Sequence, residues 1–303
     1  MTKKIIFITL ACFMFGFGVS ASSDVSRQVS FENSVRSKIS SFKLSLPEIF
    51  KYNGAKIQSS PVFCEPFVYD SEGNQYKTVH IGEQCWMQEN LRVGVRIDAT
   101  THQSDDSVIQ KYCLDDNESN CSLYGGLYQW PQAMLLSYED CLQGDCSESI
   151  REQHQGICPL GWHIPNDQEF AVLEQYTVEK IGSVYPQYEC STIGFAPTWR
   201  RCADSVYPNG NPAGNTGGEF GASRSLRKVG QGNGEDLMGF SLIMAGYHNG
   251  WYYYPISQTR LWLADQDGTH HALRRLFMVS ATTIHSGTDQ RHYANSVRCL
   301  QDY

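Results

Sequence analysis

The hydrophobic pattern divides the chain into stretches of different texture. Ile5 to Val19 is an almost unbroken apolar run, preceded by Lys3 and Lys4. Ser22 to Ser60 is polar, and its periodicity is a broken helical one through Phe31, Val35, Ile39 and Phe42. From Pro61 the texture becomes strand-like. Phe67-Val68-Tyr69 and the set Tyr76, Thr78, Val79 and Ile81 flank the turn residues Asp70-Ser71-Glu72-Gly73-Asn74, which predicts a β-hairpin ended by Gly82. A polar, acidic loop is expected from Ala99 to Asn120, after which Gly125-Gly126-Leu127-Tyr128-Gln129-Trp130 leads into a short helix around Ala133 to Leu136.

The clearest helical period follows Pro165, with Phe170, Leu173 and Thr177 on one stripe and Val172 and Tyr176 beside it. Asn166 offers a side-chain oxygen to an orphan backbone N–H, and Glu169 stands three residues on to reach back, so a capping box is predicted. Asn209 to Asp236 is rich in Gly and Asn and long enough for a functional loop. Strand-like runs return at Gly239 to Ala245, Gly250 to Tyr254, Leu261 to Ala264, Leu273 to Ser280 and Ala294 to Leu300. Short strands late, one main helix and long loops indicate an α+β class.

Charge and cysteine usage add a compartment. Two lysines, an apolar run and the small residues Val19-Ser20-Ala21 make residues 1–21 a secretory signal peptide. Gly16 and Gly18 break that run, which falls short of the roughly 20 apolar residues a membrane span needs. No other segment is apolar enough, so no transmembrane span is expected in the mature chain. Residues 22–60 read as a polar stalk or linker and 61–303 as the folded domain. Loss of the leader removes Cys12 and leaves Cys64, Cys85, Cys113, Cys121, Cys141, Cys146, Cys158, Cys190, Cys202 and Cys299. An even set in an oxidising compartment points to disulfides, whereas zinc would need paired knuckles that these spacings lack. A net charge of −8, with Lys and Arg scattered apart from Arg200-Arg201 and Arg274-Arg275, argues against nucleic acid as a partner.

Five ordered segments carry a resemblance. They are Asp70 to Gly82 (DSEGNQYKTVHIG), Gln84 to Leu91 (QCWMQENL), Tyr124 to Trp130 (YGGLYQW), Gly156 to Pro165 (GICPLGWHIP) and Ser296 to Cys299 (SVRC). Together they resemble the signature of the Fibrobacter succinogenes major paralogous domain over roughly residues 61 to 303. Phe170 stands where that family usually has Trp, and Asn166 where it has Thr; each keeps the role. The resemblance implies a secreted or surface-located bacterial domain, related in fold to C-type lectin-like domains and to formylglycine-generating sulfatase modifiers. In a lectin-like fold the two ends of the domain pair in one sheet, which implies a Cys158–Cys299 staple with Trp162 packed over it. The remaining pairs are then expected to be local: Cys64–Cys85, Cys113–Cys121, Cys141–Cys146 and Cys190–Cys202.

Catalysis is not expected. HExxH, GxSxG and phosphate-loop patterns are missing, and Gly230, Gly232 and Gly234 alternate too tightly for a dinucleotide fingerprint. The sulfatase modifiers use late cysteines, but the late cysteine here, Cys299, is assigned to the staple. Neighbouring His270 and His271 would face opposite sides of a strand and so could not share a site. Calcium is the candidate ion, with Asn233, Glu235 and Asp236 as donors, against a competing reading of solvated loop carboxylates. The sugar-binding Glu-Pro-Asn and Trp-Asn-Asp patterns of lectins are not present. The expected ligand face combines the Asn209 to Asp236 loop, the run Trp251, Tyr252, Tyr253 and Tyr254, and the turn after Trp262 with Asp265 and Asp267. Alternation should turn half of the aromatic run inward, leaving either Tyr252 and Tyr254 or Trp251 and Tyr253 outside. The expected function is a binding module for a glycan or a surface protein; a sulfatase-modifier-like enzyme and a structural surface protein without a specific ligand are the alternatives.

Overall fold

The computed structural model describes residues 63–184, 222–281 and 284–303. The leader, the stalk, the first part of the Asn209 to Asp236 loop, and Cys190 and Cys202 lie outside the described residues. By its contacts the chain separates into units Met1–Gln58 and Ser59–Tyr303, and every described residue belongs to the second.

The first hairpin forms where the turn chemistry predicts it. Strand Phe67–Tyr69 pairs antiparallel with Gln75–Ile81. Asp70 organises the turn: its Oδ1 accepts the N–H groups of Glu72 and Asn74 at 3.0 and 2.9 Å, and its Oδ2 accepts the Tyr76 hydroxyl at 2.7 Å. Gly73 takes a φ of 81°, which only glycine adopts without strain. The chain turns again through Gly82 into Gln84–Met87, a strand buried at all four positions. Leu300–Gln301 then lies between Gln84–Met87 and Trp162–His163, so the five-stranded sheet is closed by residues from distant parts of the chain.

A second antiparallel sheet joins Gln258–Asp267, His271–Met278 and His285–Gln290, with an irregularity in register between Trp262 and Gln266. A smaller one orders Tyr128–Gln129, Ala294–Asn295, Tyr247–His248 and Tyr252–Tyr253, and Val95–Arg96 pairs in parallel with Gln110–Lys111. With these sheets, a few helices and, among the described residues, four disulfides, the molecule is an α+β, disulfide-stapled fold.

Helix Asp167–Val184 begins with both arms of the predicted box. The Asn166 side chain accepts the Glu169 N–H at 2.9 Å, and the Glu169 carboxylate accepts the Asn166 N–H at 2.8 Å. Phe170, Leu173 and Thr177 are buried, while Val172 faces solvent. Glu169 has a second task. Its Oε1 lies 3.1 Å from His163 Nε2 and accepts the Tyr303 hydroxyl at 3.0 Å, while His163 Nδ1 lies 2.7 Å from Asp302. Burial works against a charge on His163, but the two carboxylates outweigh it and raise its pKa. Burial likewise opposes the Glu169 carboxylate; hydrogen bonds from His163 and Asn166 outweigh it and lower the pKa.

Three expectations about elements are corrected. Gly239 to Ala245 is not a strand: Gly239 and Ser241 have φ of 70° and 54°, and Leu242 makes only a single bridge, to Arg227. Ala99 to Asn120 is not all loop, since it holds the strand Gln110–Lys111 and the start of helix Glu118–Tyr124. The short helix is Trp130–Met134, with Pro131 in its first turn and Leu135, at φ 50°, ending it earlier than expected.

Four disulfides join the expected partners among the described residues: Cys64–Cys85, Cys113–Cys121, Cys141–Cys146 and Cys158–Cys299. The last spans 141 positions and is buried in a core cluster with Trp130, Trp162 and Trp262. A neighbouring cluster centres on Trp86, which meets Phe170 and Phe240 edge-on.

Loops are tied to this core by buried arginines. Arg227 donates to the carbonyls of Ser223, Gln231, Val279 and Ala281, and Arg291 to those of His271, Cys141, Gly144 and Gly268. Arg298 donates to Asn90 Oδ1 and the Phe240 carbonyl. A planar fork with five N–H donors can gather several carbonyls that belong to no ladder, which is how irregular backbone is satisfied here. Arg275 differs: it is ion-paired with Glu174 at 2.6 Å and Asp167 at 2.8 Å.

Candidate aromatic binding face

Gly246-Tyr247-His248-Asn249-Gly250-Trp251 folds as a tight hairpin, with Gly250 at φ 70° and the Asn249 N–H donating to the Trp251 carbonyl at 3.0 Å. Two residues beyond the hairpin strand are left-handed without being glycine: Tyr254 at φ 53° and Ile256 at φ 59°. Such conformations cost energy and persist only where surrounding structure holds them. At Tyr254 the consequence is a broken alternation. Tyr252 points inward, and Trp251, Tyr253 and Tyr254 are 67%, 38% and 58% exposed. Of the two expected outward pairs, Trp251 with Tyr253 is the exposed one, and the left-handed turn adds Tyr254 to it while Tyr252 stays buried.

The rings are ordered around Tyr247. Its ring is within 21° of parallel to those of Tyr253, Tyr254 and Tyr293, at centroid distances of 5.2, 6.3 and 6.0 Å. The Arg260 guanidinium sits 3.4 Å over the Tyr247 ring and is held by Asp289 at 2.9 Å. Asp289 also pairs with Arg274 at 3.5 Å and accepts from Asn295 at 3.1 Å. The platform is thus fixed from behind by a buried carboxylate, and the tyrosine faces cost little entropy to use.

Tyr252 is anchored underneath through its hydroxyl, which donates to Asp116 at 2.9 Å. Its neighbour His248 lies 4.2 Å from the Tyr112 ring and meets Tyr252 edge-on. Burial pushes the His248 pKa down to about 4, although the Ala99 backbone pulls the other way, so the imidazole is neutral at physiological pH.

The other expected site residues do not join this face. Trp262 is a correction: it lies fully buried, its indole N–H donating to the Tyr128 carbonyl at 2.7 Å, because Leu261 to Ala264 is covered on both sides. Asp265 accepts the Asp167 N–H at 2.6 Å, at the start of the long helix. Asp267 is exposed at the end of its strand. Asn233 accepts from Arg227, Glu235 pairs with Arg224 at 2.6 Å, and Asp236 accepts from the Ser241 N–H and hydroxyl. These three donors therefore already have protein partners, and among the described residues no group of three His, Cys, Asp or Glu side chains could hold a metal ion. Part of the expected loop is helical, at Ala222–Leu226.

Tyr247, Tyr293, Arg260 and Asp289 belong to the face without having been expected there. Asn249-Gly250 between aromatic pairs is a hairpin signal that could have placed Tyr247 beside Tyr253. Nothing local marks Tyr293, which arrives through the pairing of Ala294 with His248.

Comparison with known proteins gives one result. The family model described as the Fibrobacter succinogenes major domain matches residues 79–301. No curated protein matches the chain, and no solved structure does.

Proposed function

The chain belongs to the Fibrobacter succinogenes major domain family, and we propose that within it this protein is a secreted or cell-surface binding module that stacks a glycan on the Trp251–Tyr253–Tyr254 face. The observation that carries this reading is a set of exposed rings held in order on a braced, locally strained hairpin. Flat tyrosine faces suit the apolar face of a sugar ring, and Arg260 and Asp289 fix the geometry in advance of binding. The four disulfides fit an extracellular or secreted protein. Among the described residues no helix is long and apolar enough to cross a membrane. The C-type lectin-like relation is part of the same proposal, supported by the closing of the five-stranded sheet beside Cys158–Cys299. So is the lack of oxidase chemistry, since Cys299 is engaged in that bond. In this reading calcium takes no part, because Asn233, Glu235 and Asp236 are engaged by protein donors.

A glycan array probed with the mature chain identifies the ligand, and Tyr253→Ala and Tyr254→Ala then test the face. Each should weaken the best ligand by about 1–3 kcal/mol, with the thermal midpoint little changed and EDTA without effect. Undiminished affinity in both variants would remove the site from this hairpin.

A further inference from the structure

A separate cleft of about 360 Å³ opens where Lys77, the segment Gln88-Glu89-Asn90, Arg92, the end of helix Glu118–Tyr124, Lys228 and Ser241 meet. Lys77, Arg92 and Lys228 contribute three positive charges to its lining, and Glu89 contributes one negative charge. Among the described residues none of the three cations has a carboxylate within ion-pair distance; Arg92 rests on the Tyr76 ring and donates to the Gln75 carbonyl. A fourth cation stands directly behind the lining. Arg298 is fully buried and binds Asn90 Oδ1 and the Phe240 carbonyl, neighbours of the cleft surface, with neutral acceptors only. Burial depresses its pKa to about 9, which still leaves it cationic at neutral pH. Against these four cations stand two carboxylates, Glu89 in the lining and Asp236 beside Ser241, both of which act on Arg298. The excess of positive charge around a concave site, in a chain of net charge −8, is a local field that favours an anion. The rest of the wall is mixed: Leu123 and Ile243 offer apolar contact, and Gln88 and Ser122 offer an amide and a hydroxyl, while the Asn90 amide is engaged by Arg298, Tyr124 and Ser296.

We propose that this cleft binds an acidic sugar unit, a uronic acid whose carboxylate lies among Lys77, Arg92 and Lys228. Gln88 and Ser122 would meet its hydroxyls, and Leu123 and Ile243 its ring. None of the lining residues belongs to the aromatic face, so the two sites stand or fall separately.

The test is titration of the full mature chain with galacturonate, galactose and inorganic sulfate at 20 and 500 mM NaCl, followed by amide chemical shifts. Galacturonate should bind more tightly than either other probe, weaken at high salt, and shift the amides of Asn90, Gly125 and Ser241. Lys77→Gln and Lys228→Gln should each weaken it about tenfold, whereas Lys180→Gln and Tyr253→Ala should leave it unchanged. Equal binding of galactose would refute the charge selection, and equal binding of sulfate would reduce the cleft to a bare anion site and refute the sugar. The amide shifts need no variant to fold; shifts confined to other residues, or no binding of galacturonate, would overturn the proposal.

Discussion

His163 shows how much a single buried residue can couple. It bridges Glu169, which caps the long helix, to Asp302 in the segment after the closing strand. Its pKa is raised above 6.5, so its stabilising contribution is fully present below about pH 6.5 and is lost as pH rises through the raised value. The Glu169 pKa is lowered from 4.5, so its contribution is present above about pH 4.5 and is lost as pH falls through the depressed value. The cluster therefore stabilises most between about pH 4.5 and 6.5. Denaturant midpoints should decline from pH 6.5 toward 8.5 in the wild type, and His163→Gln should flatten that decline even if it lowers the whole curve. An unchanged slope in the variant would assign the pH dependence to other groups.

At the scale of elements, the start of helix Asp167–Val184 makes a direct prediction. Asn166→Ala removes one arm of the box and should cost about 1 kcal/mol, read by urea denaturation, while Asn166→Ser or Asn166→Thr should restore most of it. This helix and the first hairpin were legible in the sequence because their signals are local: an acceptor three residues from its partner, and Asp70 to Asn74 punctuating two strands. The segment Gly239 to Ala245 misled for the opposite reason. Phe240, Leu242 and Met244 alternate as in a strand and are all buried, but their burial comes from packing near Trp86 and Phe170 rather than from a ladder. Alternation reports which side chains are covered and is silent about what pairs the backbone. The aromatic run was half legible by the same logic: its composition marked a face, and the left-handed turn at Tyr254 decided which rings compose it.

Across the whole molecule, the cysteines carried information that no periodicity held. The Cys158–Cys299 bond followed from resemblance and is the longest-range of the four disulfides described. Closing a loop of 141 positions should contribute about 4–5 kcal/mol on the chain-entropy view. Cys299→Ser should therefore lower stability by about that amount in a chemical denaturation series, and a loss below about 1 kcal/mol would mean that the unfolded chain gains little freedom when the bond is removed. The buried arginines were not legible at all. Arg227, Arg291 and Arg298 each look like surface residues in sequence, and only the arrival of carbonyls from several loops makes their burial tolerable.

The position of Leu300–Gln301 has a consequence for how the protein comes into being. Gln84–Met87 and Trp162–His163 do not pair with each other; each meets the strand placed between them. Until residues 300 and 301 have been made and threaded into that gap, both segments present unpaired backbone edges. Such edges are templates for association with another chain. A polypeptide truncated before Leu300 should thus aggregate more readily than one that carries the closing strand, which light scattering of the two chains during refolding would compare.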